Sequence, residues 1–273
     1  MFIAISGTFH VDSYTPDGDS LHFQAHHADN WGKLRGHQVK LNPRGQAQLR
    51  LEGIDALELN FEGRHQPLKY AQAARDFLLS QLGIRSNLFG PAHARDGAGG
   101  YILAREVDKY RRPVAFTFAG ELGGPDGEKI FLDPALLQKS VNYRLLEAGL
   151  AYPTYYEGLP ADLREELTRA CREARMGQRG FWPQDRTNLG IVVAGGPGQV
   201  GKFVILPKLF RRLVRFMKES DDLRGFKAYL DADPDRVTHL PTGRGASLAA
   251  LVQVEDHSVK LTAGPEDLVF AEK

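Results

Sequence analysis

Two short runs near the N-terminus alternate apolar and polar positions. Leu21 and Phe23 alternate with His22 and Gln24, and Ala47, Leu49 and Leu51 alternate with Gln48, Arg50 and Glu52. A period of two presents one face to a core, so both runs predict strands. Asp17-Gly18 is a hairpin signal between strand-like runs. The polar stretch from about Ala25 to Gly45 predicts a loop, with a short extra strand at Gln38–Leu41. The period then lengthens. Pro67 suits a first helical position, Leu68, Ala71, Ala74, Leu78 and Leu82 form one apolar face, and Gly83 suits the C-terminal cap. Strands are predicted again around Tyr101–Val107 and Pro113–Ala119, joined by Asp108-Lys109-Tyr110-Arg111-Arg112.

Gly123-Gly124-Pro125-Asp126-Gly127 reads as a turn. Asp133 before Pro134 opens a predicted helix carrying Leu137, Val141, Leu145 and Ala148, ended by Gly149. A third helix begins near Pro160 and buries Leu163, Leu167, Ala170, Cys171 and Ala174. After Phe181-Trp182-Pro183 the character changes. Ile191–Val193 reads as a strand, Lys208–Lys218 as a basic amphipathic helix, and Ala249–Val254 and Ser258–Thr262 as short strands. The pattern places a boundary near Arg186, giving expected domains 1–186 and 187–273.

The chain has 273 residues, 42% hydrophobic and 25% charged, an ordinary globular mix. Its net charge of +1 argues against a protein that coats nucleic acid wholesale and confines any such contact to a cleft. Cys171 is the single cysteine, which excludes an intrachain disulfide. The opening Met1-Phe2-Ile3-Ala4-Ile5-Ser6-Gly7 lacks the basic and long apolar regions of a secretory signal, so a cytoplasmic location is expected, a processed secreted form being the alternative. No run approaches the ~18 apolar residues of a membrane span.

Three segments concentrate chemistry: Asp17-Gly18-Asp19-Ser20, the stretch from Arg50 to Glu58 that includes Asp55, and Asp108–Arg112. Carboxylates at strand ends suit hard cations such as Ca²⁺ or Mg²⁺. Guanidinium groups suit bidentate phosphate binding. Phosphodiester hydrolysis needs both, with a group to orient the attacking water. From spacing alone, the same charges also fit a solvated surface.

The order Asp17–Ser20, Arg50–Glu58, Gln66–Ala71, Asp108–Arg112, Leu145–Tyr152 and Gly180–Trp182 resembles the staphylococcal nuclease family, over about Val11 to Pro183. The resemblance implies an α+β fold: a five-stranded oligonucleotide/oligosaccharide-binding barrel with about three packed helices, here followed by a smaller C-terminal α+β extension. It implies Ca²⁺-dependent endonuclease cleavage of DNA or RNA, single strands foremost, with Mg²⁺ or another divalent ion as alternatives. Asp19, Asp55 and the carbonyl of Ala56 would hold the metal. Arg50 and Arg112 would bind the phosphate, and Glu58 would act on the attacking water. Lys109, Tyr110 and Tyr155 would touch the nucleotide. Two departures bear on this. Ala56-Leu57 lacks the proline that often precedes the glutamate, which frees the backbone before Glu58. Arg111 replaces a glycine, so a positive φ there would cost about 1–2 kcal/mol or shift the turn. A non-catalytic nucleic-acid or protein binding module is the alternative function.

Several features have simpler explanations. His26-His27 and His65 fit polar loops, and Cys171 fits a small core position. Tyr155 and Tyr156 suit either base stacking or packing at a helix junction. Gly196–Lys202 imitates a phosphate-binding loop, but Phe203 stands where a Ser or Thr is needed, and Pro207 is expected to break the following helix. The basic face of Lys208, Arg211, Arg212, Arg215 and Lys218 suits solvent, phosphates or an acidic partner.

Overall fold

The computed structural model describes residues 1–11, 16–84, 97–193 and 197–272. The chain packs as two compact units, Met1–Glu52 with Ala73–Leu145, and Gly53–Gln72 with Leu146–Lys273.

The first unit is a closed five-stranded barrel: β1 (Phe2–His10), β2 (Ser20–Ala25), β3 (Ala47–Leu51), β4 (Ala98–Val107) and β5 (Pro113–Ala119). β1 pairs antiparallel with β2, β2 with β3 and β4 with β5, while β3 and β5 run parallel. Pairing of β1 with β4, Ile5 opposite Ile102, closes the cylinder and leaves these strands no open edge. The alternation seen in the sequence is the reason: Leu21, Phe23, Leu49 and Leu51 are fully buried, as are Phe9 and Phe116. Gly100 lets strands approach closely, since a Cβ there would lie 2.4 Å from both the Phe118 carbonyl and the Phe9 ring. Buried Asn142 secures the end of β5. Its Oδ1 accepts from the Thr117 amide at 3.0 Å, and its Nδ2 donates to the carbonyls of Glu52 at 2.9 Å and Ala115 at 3.0 Å.

In the second unit Ile54–Ala56 pairs with Ala151–Pro153, Asp55 opposite Tyr152. A four-stranded sheet joins Tyr155–Tyr156, Leu268–Phe270, Arg236–His239 and Arg244–Ser247, and a three-stranded sheet joins Ile191–Val192, Ser258–Leu261 and Val252–Glu255. Helices Ala161–Met176 and Pro207–Phe216 pack with them around one core containing Tyr152, Cys171, Phe181, Phe210, Phe226 and Phe270. Packing is continuous across Arg186. Tyr152 donates its hydroxyl to Asp185 at 2.7 Å, Thr187 donates to the same oxygen at 2.6 Å, and the Leu206 amide donates to the Thr187 hydroxyl at 2.9 Å. This division by packing differs from the boundary expected at 186. No helix among the described residues is long and apolar enough to cross a membrane.

Local expectations fail where side chains intervene. The Ala25–Gly45 insertion holds a 3-10 helix, Ala28–Lys33, and a two-residue strand, Arg35–Gly36, instead of one at Gln38–Leu41. The helix expected from Asp133 to Gly149 is two pieces, Pro134–Leu137 and Val141–Glu147. Asp133 does cap the first, accepting from the Leu136 amide at 2.8 Å. Ser140 separates them by donating to the Leu137 carbonyl and accepting from the Tyr143 amide, the competition with helix backbone bonds that serine hydroxyls offer. Ala249 lies in a helical turn, Leu248–Leu251, capped by Ser247, and the strand begins only at Val252. Pro207 starts its helix, where its missing amide costs nothing. In the imitation phosphate loop Gly196 lies outside the described residues. Pro197–Lys202 is 3-10 helical, and Gly201 is needed for packing, since a Cβ would sit 2.4 Å from the His65 carbonyl.

Candidate functional site

The barrel unit carries Asp19, Arg50, Lys109, Tyr110 and Arg112. Ser20 faces Arg50 in register, and the Asp19 carbonyl accepts from the Leu51 amide at 3.0 Å, so Asp19 and Arg50 lie on adjoining strands. Alternation along β3 turns Arg50 away from buried Leu49 and Leu51. Its parallel neighbour is Val114, two residues beyond Arg112. Both arginines therefore sit at one end of the β3–β5 pair.

The Asp108–Arg112 turn is built on one carboxylate. Asp108 Oδ1 accepts from the amides of Tyr110 and Arg112, both at 2.9 Å. Its Oδ2 accepts from Arg112 Nε at 2.9 Å and Nη2 at 2.8 Å. Tyr110 projects outward, 64% exposed, with Lys109 Nζ and the Arg112 guanidinium 5.2 and 5.3 Å from its ring centre. Arg111 has a φ of 67°, the left-handed conformation that glycine adopts without strain. Its carbonyl accepts from the Lys40 amide at 2.9 Å and its Nε donates to the Gln38 carbonyl at 3.0 Å, so the turn keeps its shape with arginine in place.

The second unit carries Asp55, Ala56, Glu58 and Tyr155. Asp55 and Ala56 lie in the short strand Ile54–Ala56, and Leu57 after it is fully buried. Gln66 then fixes the segment. Its Oε1 accepts from the Glu58 amide at 3.2 Å, its own amide donates to the Glu58 carbonyl at 2.9 Å, and its Nε2 donates to the Ile205 carbonyl at 2.7 Å. Burial of Leu57 and these bonds constrain the backbone where a proline is lacking.

Asp55 and Glu58 do converge, and what they meet is Arg211. Its Nη1 lies 3.0 Å from Asp55 Oδ1 and 2.5 Å from Glu58 Oε1, and its Nη2 lies 2.7 Å from Asp55 Oδ2. The side chains of Arg211, Asp55 and Glu58 are only 28%, 7% and 13% exposed. Burial disfavours the charged guanidinium, but the two carboxylates outweigh it and hold Arg211 well above an arginine's ordinary pKa.

This arrangement bears on the divalent ion implied by the resemblance. Calcium takes roughly six to eight oxygen ligands. Both oxygens of Asp55 are already bonded to a cation, and among the described residues no group of three or more His, Cys, Asp or Glu side chains could hold a metal. The residues as arranged do not fit a divalent ion at Asp55.

Tyr155 does not present a ring to solvent. It is fully buried, its hydroxyl lies 2.9 Å from Thr168 Oγ1, and burial raises its phenol well above the ordinary pKa. Packing, the second of its two expected roles, describes it. Burial likewise raises the Cys171 thiol, as a core position requires. The basic helix face is paired with acids, although Arg215 and Lys218 stay about half exposed. Arg212 pairs with Asp235 at 2.7 Å, Lys208 Nζ lies 3.5 Å from Asp235, and Arg215 and Lys218 meet Glu62. Sequence reasoning missed Arg211 and Gln66 as site-shaping residues. The available signal was the spacing of Arg211, Arg215 and Lys218 against that of Asp55, Glu58 and Glu62.

Comparison with known proteins agrees with the barrel fold. A family model described as staphylococcal nuclease homologue matches residues 48–184. No curated protein matches the chain.

Proposed function

The chain belongs to the staphylococcal nuclease homologue family, and on that premise we propose that it is a nuclease acting on phosphodiester bonds of DNA or RNA, single strands foremost. The observation that carries this reading is the pair of arginines, Arg50 and Arg112, at one end of the parallel β3–β5 ladder. Guanidinium groups held at rigid strand ends can share the oxygens of one phosphoryl group and stabilise charge that grows in the transition state. Lys109 and exposed Tyr110 supply a cation and a flat ring for the nucleotide. Glu58 is the group assigned to the attacking water, its backbone held by Gln66. No step is assigned to a metal, because the acid pair carries Arg211.

The test is cleavage of a labelled single-stranded oligonucleotide by the full chain, with calcium, with magnesium and with chelator. Arg50→Ala and Arg112→Ala are expected to lower turnover about 100-fold or more while leaving the protein folded. Full turnover in both variants would remove the assignment.

Occupation of Asp55 and Glu58 by Arg211 favours a second reading, a nucleic-acid binding module without chemistry. Oligonucleotide binding weakened by Arg112→Ala, with no cleavage under any metal condition, would establish it in place of the first.

A further inference from the structure

The helix Pro207–Phe216 and the turn that follows it bring a row of cations to a row of acids. Arg211, Arg215 and Lys218 recur at spacings of four and three, which places them on one helical face. Arg211 takes Asp55 and Glu58. Arg215 Nε lies 2.8 Å from Glu62 Oε1, and Lys218 Nζ lies 2.6 Å from Glu62 Oε2. Glu62 reaches them from a turn in which its own φ is 51°, a conformation that costs a non-glycine residue free energy. The opposite face, Leu209, Phe210, Leu213 and Val214, is buried in the core. At the entrance Gln66 holds the Ile205 carbonyl at 2.7 Å. The helix is thus fixed on two sides, and Arg211 with it.

We propose that Arg211 is the resident cation of the Asp55–Glu58 acid pair, occupying the position that the family resemblance gives to a divalent ion, so that the folded chain does not load calcium through Asp55. A planar guanidinium matches carboxylates at two points and keeps its charge at every physiological pH. Calcium approaching Asp55 would meet a positive group bonded to both oxygens. Expelling that group would leave Arg211 unpaired beside a packed core. The inference rests on the nuclease reading only in taking this acid pair as functional. Its measurements need no turnover.

The experiment is calcium titration of the full chain by calorimetry, with terbium luminescence as a second probe and thermal unfolding as a third. Wild type is expected to give no heat that Asp55→Asn removes, and no shift in Tm between millimolar calcium and chelator. Arg211→Gln is expected to gain one calcium site, seen as terbium emission and a calcium-dependent rise in Tm, and Asp55→Asn in that background is expected to abolish it. Calcium uptake by wild type that disappears in Asp55→Asn would overturn the proposal. Should Arg211→Gln fail to fold, wild type and Asp55→Asn decide: a wild-type Tm unmoved by calcium, or moved equally in Asp55→Asn, supports the resident cation, and a rise of several degrees that chelator reverses and Asp55→Asn abolishes sinks it. Cleavage assayed on the same samples separates the two readings. Absence of cleavage in every condition removes the nuclease and leaves the cation. Calcium-dependent cleavage together with Asp55-dependent uptake removes the cation and leaves the nuclease.

Discussion

Arg112 sets Nε and Nη2 on the same oxygen of Asp108, while the other oxygen of that carboxylate caps the turn between them. One side chain therefore shapes the loop and aims the arginine assigned to phosphate. Asp108→Ala removes both functions and is expected to cost about 2–4 kcal/mol in urea unfolding, since bonds to a charged group are worth about 1.5–3 kcal/mol. Asp108→Asn keeps an acceptor for the two amides and is expected to cost about half as much. Equal losses would mean that the ion pair, rather than the turn, carries the stability.

Arg111 holds a left-handed backbone that costs an L-residue roughly 1–2 kcal/mol. Arg111→Gly relieves this strain but loses the bond to the Gln38 carbonyl and gives the unfolded chain more freedom, worth about 0.4–1 kcal/mol. The terms oppose, so the variant is expected within about 1 kcal/mol of wild type. Arg111→Val, branched at Cβ, fits this φ poorly and is expected to be at least ~1 kcal/mol less stable than the glycine variant. Urea midpoints of the three proteins check the order, and a valine variant as stable as wild type contradicts it.

Gln66 is fully buried and ties Glu58 to Ile205. Gln66→Leu keeps the volume but leaves the Glu58 amide and the Ile205 carbonyl without this partner, at about 1–3 kcal/mol each. A loss of about 2–5 kcal/mol is expected. Because the bond fixes Glu58 and not the substrate, kcat is expected to fall further than KM rises. A change confined to KM would place Gln66 in substrate binding.

Much of the barrel was legible because its strands bury one face. The alternation at Leu21, Phe23, Leu49 and Leu51 is the burial pattern observed, and the five apolar positions expected on Ala161–Met176 are its buried ones. Strain at Arg111 was legible only through the family resemblance, which places a glycine there. Ser140 and Ser247 misled, since a hydroxyl that caps or breaks a helix leaves no mark on hydrophobic periodicity. Arg211 was not legible as a site residue. It meets Asp55 across 156 residues of sequence, and no local pattern reports a contact of that span. Tyr155 shows the opposite fault: the tyrosine expected at a nucleotide-touching position is present, yet whether its ring faces solvent depends on Thr168 and the core around it.

The continuity of packing across Arg186 leads to a last prediction. Residues beyond it supply Val200, Ile205, Leu206, Leu209, Phe210, Leu213 and Phe270 to the core that also buries Leu57, Tyr152 and Phe181. Each large apolar side chain withdrawn from water contributes about 1.5–3 kcal/mol. Losing several of them exceeds the ~5–15 kcal/mol by which domains are stable. Thr187 and the partner of Gln66 would go with them, and Asp55 and Glu58 would lose Arg211. A chain ended at Arg186 is therefore expected to lack a cooperative urea transition and to aggregate, although it spans the whole match to the family. A sharp two-state transition from that shortened chain would show that the family segment folds by itself and that the remainder is an appendage.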